Sequence, residues 1–173
     1  QKTLTTPVPT RDQLMPLLTA AARTPDHGKL EPWRFIVLEK PALTRLGDLA
    51  RTRAAALKLP DDKTQKGPMQ FDTGNLAVAV IEVQKDSDKV PALEQTYSAG
   101  AACLALLNVA LAAGWGANWL SGWPSHDRPF VETGLGLAAH ERVTGFIHIG
   151  TETSAPHERP RPNLESIITW QSE

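Results

Sequence analysis

The chain has 173 residues, of which 41% are apolar and 21% charged, a profile of one globular domain with a sizeable core and not of a disordered tail. With 18 basic against 19 acidic residues the net charge is −1, which leaves no broad electrostatic footprint for nucleic acid or an anionic membrane. A lone cysteine, Cys103 in AACLALL, excludes an internal disulfide and reads as a small buried hydrophobe.

In chain order, the first helix is predicted to start at Thr10. Thr10 and Gln13 have capping-box spacing, and Leu14, Leu17, Leu18 and Ala21 follow at helical intervals. Pro16 removes one hydrogen bond from that helix and is expected to bend it. After the polar loop RTPDHGKLEP comes a strand, WRFIVLE, and then a second helix with Pro41 in its first turn and a Leu43, Leu46, Leu49 stripe. Residues 59–72, LPDDKTQKGPMQFD, read as an exposed polar loop. LAVAVIEV, 76–83, is apolar enough for a strand covered on both faces.

The segment EQTYSAGAACLALLNVALAAG is predicted to be the longest helix, apolar almost all round from Ala99 to Ala113, with Gly114 at its C-terminal end. Such a helix belongs in a core or across a subunit interface. GWGANWLSGW follows, then a short helix that Ser125 could cap, and a last strand, VTGFIHIG, at 143–150. The proline-rich TSAPHERPRPN reads as extended, and LESIITW beyond it as apolar enough to dock. No repeat or linker interrupts residues 1–173, and helices interleaved with at least four strands argue for an α/β or α+β sheet layered with helices. No wholly apolar run reaches the roughly 20 residues of a membrane span and no signal peptide is visible, so the cytoplasm is the expected location. Gln1 stands where an initiator Met is absent, and residues upstream of it are expected to be missing.

GxGxxG after a strand, GxxxxGK[ST], HExxH, CxxC and GxSxG are all absent. His27, His126 and His140 each neighbour an acid but lack i, i+4 partners, so a metal site is not expected. Two stretches stand out. In RTPDHGKLEPWRF, Pro25 and Pro32 restrict the backbone and Gly28 permits a tight turn, while Arg23, His27 and Arg34 offer donors to an anionic or carbonyl-rich ligand. In GWGANWLSGW, three glycines among three tryptophans let a planar ligand approach the backbone beside flat apolar faces. Taken singly, each is equally a plain loop or a glycine-rich turn into a Trp-bearing strand.

Together the stretches resemble the small branch of FMN-dependent nitroreductases. In that branch an (A/R)-x-PDH-x-x-x-x-PWRF segment precedes SAG, a long apolar helix and a W-x-SG turn, here Ser98-Ala99-Gly100 and Trp119-Leu120-Ser121-Gly122. The likeness runs from about Pro9 to Gly150. It implies an α+β nitroreductase-like fold, a central mixed β-sheet flanked by helices, assembled as a homodimer with FMN at the interface. By the same resemblance, Arg23 and His27 would reach the FMN held mainly by the other subunit. Trp119, Leu120, Ser121 and Gly122 would line the isoalloxazine from its own subunit. The family's N-terminal Arg-x-Ser-x-(Arg/Lys) phosphate motif would fall before Gln1 except for its last basic position, Lys2. Arg161, with Arg159 as the alternative, is the candidate C-terminal cation. The tail LESIITW would wrap onto the partner chain.

The loop that reads P-F-R-A-P in the branch is MQFDTGNL here, with Asp72 in place of a basic residue and Gly74-Asn75 in place of Ala-Pro. The implied activity is ping-pong transfer from NADH or NADPH through flavin N5 to a nitroaromatic, quinone or similar electron-poor substrate, with no obligatory catalytic side chain. Enoate reduction or dehalogenation in the same cradle is the runner-up among enzymes. The other classes are a non-catalytic FMN-binding or dimeric scaffold protein with a partly decayed site, and a cofactor-free domain dimerising through the 99–113 helix.

Overall fold

A computed structural model describes residues 4–172. Its first elements are β1 (Leu4–Thr5), α1 (Arg11–Ala21), β2 (Trp33–Glu39), α2 (Lys40–Ala56) and α3 (Asp61–Asp72). They are followed by β3 (Leu76–Val83), α4 (Ala92–Ala112), β4 (Gly116–Leu120), α5 (Arg128–Leu135), β5 (Glu141–Glu152) and the four-residue α6 (Leu164–Ile167).

The alternation of side chains along β3 divides the fold into layers, because successive residues of a strand face opposite sides. Leu76, Val78 and Val80 join Leu14 and Leu17 of α1 and Ala102, Cys103 and Leu106 of α4 in one core. Ala77, Ala79 and Ile81 join Leu43 and Leu46 of α2, Phe71 of α3 and Phe130 of α5 in the other. All eight residues of β3 are buried; seven are apolar, and the one charged residue, Glu82, is paired with Arg142 at 3.1 Å. The sheet runs β1-β5-β3-β2, with β4 also paired to β5. This is the expected α+β architecture, but among the described residues every pairing is antiparallel, so the sheet is not the mixed one expected.

The capping box at the start of α1 forms as its spacing predicts: the Thr10 side chain accepts from Gln13 N–H and Gln13 reaches back to Thr10 N–H. Pro16 is accommodated inside the helix. Residues 61–72, expected as loop, are helical. Asp61 and Asp62 suit the positive end of α3, and burial of Gly67, Pro68, Gln70 and Phe71 overrides the low helix propensity of the segment. Phe71 is completely buried, edge-on to Phe146 with centroids 5.3 Å apart. Asp127, and not Ser125, caps α5: its carboxylate accepts from Phe130 N–H at 3.1 Å and is gripped by Arg53 at 2.7 Å.

α4, 21 residues long, is apolar enough by length and composition alone to cross a membrane, although Glu94, Gln95 and Asn108 keep it from being a wholly apolar run. Ala99, Ala102, Cys103, Leu106 and Ala110 are buried under the sheet, which makes it a core helix. Burial pushes the Cys103 thiol up to about 12, so it is inert as a nucleophile at neutral pH.

Candidate active site

The loop between α1 and β2 is built over the N-terminal half of α4. Ser98 of α4 donates its hydroxyl to Pro25 O (2.8 Å) and accepts the Trp33 indole N–H (3.1 Å), so one side chain ties both ends of the loop. Asp26 accepts from Leu30 N–H at 2.6 Å. His27 Nδ1 lies 2.6 Å from Glu94 Oε2 in the first turns of α4. Gly28, Lys29 and Glu31 all have positive φ, at 73°, 54° and 48°. For the two non-glycine residues that backbone costs on the order of 1–2 kcal/mol each, strain that persists where surrounding contacts impose it and that concentrates at working sites. Arg23 is exposed at the end of α1.

A second constellation forms where β4 ends. β4–β5 pairing stops at Leu120↔Phe146, and the chain turns through Ser121 and Gly122. Gly122 has φ 153° and ψ −170°, a conformation essentially confined to glycine. Trp119 lies over Gly145 of β5, where any Cβ would collide with the indole, and is 37% exposed. The following Trp123 anchors the turn to α3: its indole N–H donates to Lys63 O at 3.0 Å, and its ring occupies the space a Cβ on Gly67 would need.

A concavity opens beside that turn, lined by Leu4 and Thr5 of β1, Gln70 and Thr73 at the end of α3, Gly74 and Asn75, Asn118 and Leu120 of β4, and His148 of β5. His148 sits between Ala77 of β3 and Asn118 of β4. Its burial pulls the imidazole down to about 4, so it is neutral at physiological pH. Gln70 Oε1 and His148 Nε2 are buried and have no hydrogen-bond partner among the described residues, each a cost of about 1–3 kcal/mol when left unmet.

Two of the departures in MQFDTGNL, Asp72 and Gly74, have structural partners. The Asp72 carboxylate accepts from Arg51 at 2.8 Å, and Lys40 Nζ donates to Asp72 O and Gly74 O at 2.7 and 2.8 Å. A Cβ on Gly74 would fall 2.8 Å from His148 Nδ1, so glycine at 74 and histidine at 148 are one packing solution. Asp72 and Gly74 are thus held in place by the surrounding structure.

Not all the candidate residues meet within one chain. Trp119, Leu120, Ser121 and Gly122 are contiguous, and Leu120 enters the concavity. The loop holding Arg23 and His27 is joined to the far end of β3, where Val83 N–H donates to Pro32 O. Leu76, at the concavity, is seven residues back along β3, about 23 Å at roughly 3.3 Å per residue. Arg161 lies on the exposed tail, hydrogen-bonded to Glu158 and to the Arg159 carbonyl. Lys2 is outside the described residues. Sequence reasoning missed Gln70, because 59–72 read as loop, and Asn118 and His148, whose burial beside Gly74 has no local signature.

The donor set fits a flavin on three counts. Trp119 and Leu120 offer apolar surface, the Gly122 turn lets a planar group approach the backbone, and the concavity supplies polar side chains with unmet hydrogen-bonding capacity.

Comparison with known proteins agrees with this geometry. The nitroreductase family model matches residues 2–151. YdjA of Escherichia coli (strain K12) is 33% identical over 151 residues, 86% of this chain and 80% of YdjA. A Haemophilus influenzae relative is 34% identical over 152 residues, 87% of this chain and 82% of the relative. Among solved structures, a nitroreductase-like family protein from Bacillus cereus superposes with a TM-score of 0.79 at 23% identity, covering 100% of this chain and 91% of that one. A Desulfovibrio desulfuricans structure solved in complex with FMN gives 0.75 at 17% identity, covering 99% and 92%. Motif, fold and sequence converge: this chain belongs to the nitroreductase family.

Proposed function

We propose that the protein is an FMN-dependent NAD(P)H oxidoreductase of the cytoplasm that works as a homodimer. The observation that carries the reading is the turn after β4, where exposed Trp119 and the glycine-only backbone of Gly122 adjoin a concavity with unmet polar groups. The chemistry FMN would supply there is two-electron transfer in two half-reactions, from a reduced nicotinamide and then to an electron-poor acceptor such as a nitroaromatic or quinone. NAD(P)H is favoured because the names of the Escherichia coli and Haemophilus influenzae relatives give it as the reductant, and FMN because the Desulfovibrio desulfuricans structure binds it.

The protein's part is to bind, orient and cover. Leu120, Ser121 and Gly122 would hold the flavin through their backbone, and Trp119 would offer it an apolar flank. A second copy completes the site. Leu93, Tyr97, Leu104 and Leu111 are 58%, 64%, 50% and 39% exposed along one side of α4, and a Cβ on Gly100 would meet nothing. This apolar stripe calls for a partner helix. The 23–32 loop stands at the rim of the stripe, since His27 is bonded to Glu94, next to Leu93. From there Arg23 and His27 would face the flavin of the other subunit. Lys2 and Arg161 are assigned to its phosphate, and the exposed Ile167, Ile168 and Trp170 to contact with the partner chain.

The test is direct. The purified protein should be yellow, dimeric and bleached anaerobically by NADH or NADPH, with colour restored by a quinone or nitroaromatic. A colourless monomer that takes up no added FMN would overturn the proposal.

A further inference from the structure

The concavity beside β4 has a chemical character of its own. Four of its side chains, Gln70, Asn75, Asn118 and His148, are polar and uncharged at neutral pH. Gln70 and His148 are only 7% and 5% exposed, and each holds a buried polar atom without a partner. The Gln70 amide nitrogen donates one N–H to Gly67 O at 3.3 Å, and its carbonyl oxygen is the atom without a partner among the described residues, an acceptor that needs an N–H. The neutral imidazole of His148 carries one N–H and one lone pair. Asn75 and Asn118 bring amides able to donate or accept.

Such a set does not suit a phosphate or carboxylate, which calls for cations or several converging N–H donors. It suits a planar, uncharged edge on which carbonyl oxygens flank an N–H. We propose that Gln70 and His148 bind the imide edge of the flavin's pyrimidine ring, with Gln70 Oε1 accepting from the ring N–H and the neighbouring amide and imidazole groups meeting its carbonyls. The proposal rests on the FMN reading above and adds the recognition element to it. Gly74 belongs to the same device, because its lack of a Cβ lets His148 stand against the backbone there. The competing occupant is water, which would satisfy the same atoms without selecting a ligand.

The test compares FMN with N3-methyl-FMN, which keeps both carbonyls but cannot donate from the imide nitrogen. Binding is read by quenching of flavin fluorescence on protein stripped of its cofactor and shown by circular dichroism to remain folded. Wild type should prefer FMN by about tenfold or more, the scale of one hydrogen bond to a buried acceptor. Gln70→Leu should weaken FMN binding about tenfold and lose the preference. Equal binding of the two flavins by wild type, or an undiminished preference in Gln70→Leu, would overturn the imide assignment and leave the FMN reading standing. Failure of wild type to bind either flavin would overturn both. A second measurement needs no variant: the N3 proton of 15N-labelled FMN bound to wild type should exchange with water far more slowly than in free FMN, and rapid exchange would equally sink the assignment.

Discussion

The loop at 23–32 and the concavity beside α3 lie at opposite ends of β3 and are held by different forces. The loop is a polar arm fastened from outside. Ser98 bonds it at Pro25 and Trp33, Glu94 holds His27, and few of its side chains are buried. The concavity is shaped by packing: Gly74 in its wall lets the His148 imidazole lie against backbone, and around the neighbouring turn Gly67 and Gly145 do the same for Trp123 and Trp119. Disturbing the arm should therefore alter what the protein binds more than how stably it folds. Disturbing the walls of the concavity should do both.

Gly67→Ala is the strongest challenge. The new methyl would enter the space of the Trp123 indole, displacing the side chain that moors the Ser121–Gly122 turn to α3. Overpacking of this kind costs about 1–3 kcal/mol, at the upper end where the neighbour is rigid. We expect a loss of about 3 kcal/mol in urea unfolding together with weaker FMN retention. A fully stable Gly67→Ala protein would show that the turn does not depend on that contact.

Acid should separate the two regions next. The neutral His148 must take up a proton when the chain unfolds at low pH, because burial holds its native pKa near 4. The unfolded state binds more protons between about 6.5 and 4, so stability is highest above 6.5 and falls through that window. The loss amounts to about 2–3 kcal/mol. His148→Gln should flatten the profile there. Glu141 adds a later step. Hydrogen bonding from Arg34, at 2.6 and 2.9 Å, holds its carboxyl near 2, giving stability that is complete above about 4.5 and fades as pH drops toward 2, worth about 1–2 kcal/mol after allowing for solvent around Arg34. Urea midpoints from pH 7 to pH 3 for both proteins would check the two windows.

Gly74→Ala is expected to cost about 1–2 kcal/mol, and that cost should shrink when His148 is also replaced by alanine. A double-mutant cycle showing no coupling would deny that the two residues form one packing unit.

How much of this was open to a reader of the sequence follows the same division. The arm announced itself because its chemistry is local: Pro25, Asp26, His27, Gly28 and Pro32 carry their backbone restrictions with them. The strands, α1 with its capping box, and α4 were equally legible from periodicity. α3 was not, since Gly67, Pro68 and a run of charges signal a loop until Phe71 finds Phe146 and Phe130 across the core. With α3 hidden, Gln70 had no address. The match between Gly74 and His148 spans 74 positions of sequence and exists only because β3 and β5 are neighbours. For the same reason Asp72 and Gly74 looked like decay when each was in fact occupied, one by Arg51 and the other by the space His148 requires.

The smallest expected change in stability is the one that tests the arm. Glu94 and His27 are 45% and 59% exposed, and an exposed pair of this kind contributes under about 1 kcal/mol. Glu94→Gln should therefore barely move the thermal midpoint. Yet the carboxylate fixes which ring nitrogen of His27 is engaged, leaving Nε2 as the outward atom, and a glutamine amide can offer that ring either an acceptor or a donor. If the arm serves a flavin in the opposite subunit, FMN affinity or turnover should fall several-fold while the fold and the dimer persist. Ser98→Ala sharpens the result by cutting both ends of the arm at a cost of about 1–2 kcal/mol, which should raise amide exchange at 25–33 and reduce FMN affinity further. Were both variants to bind FMN as wild type does, the arm would be scaffolding for β2, and the contact across the interface would have to come from other residues along α4.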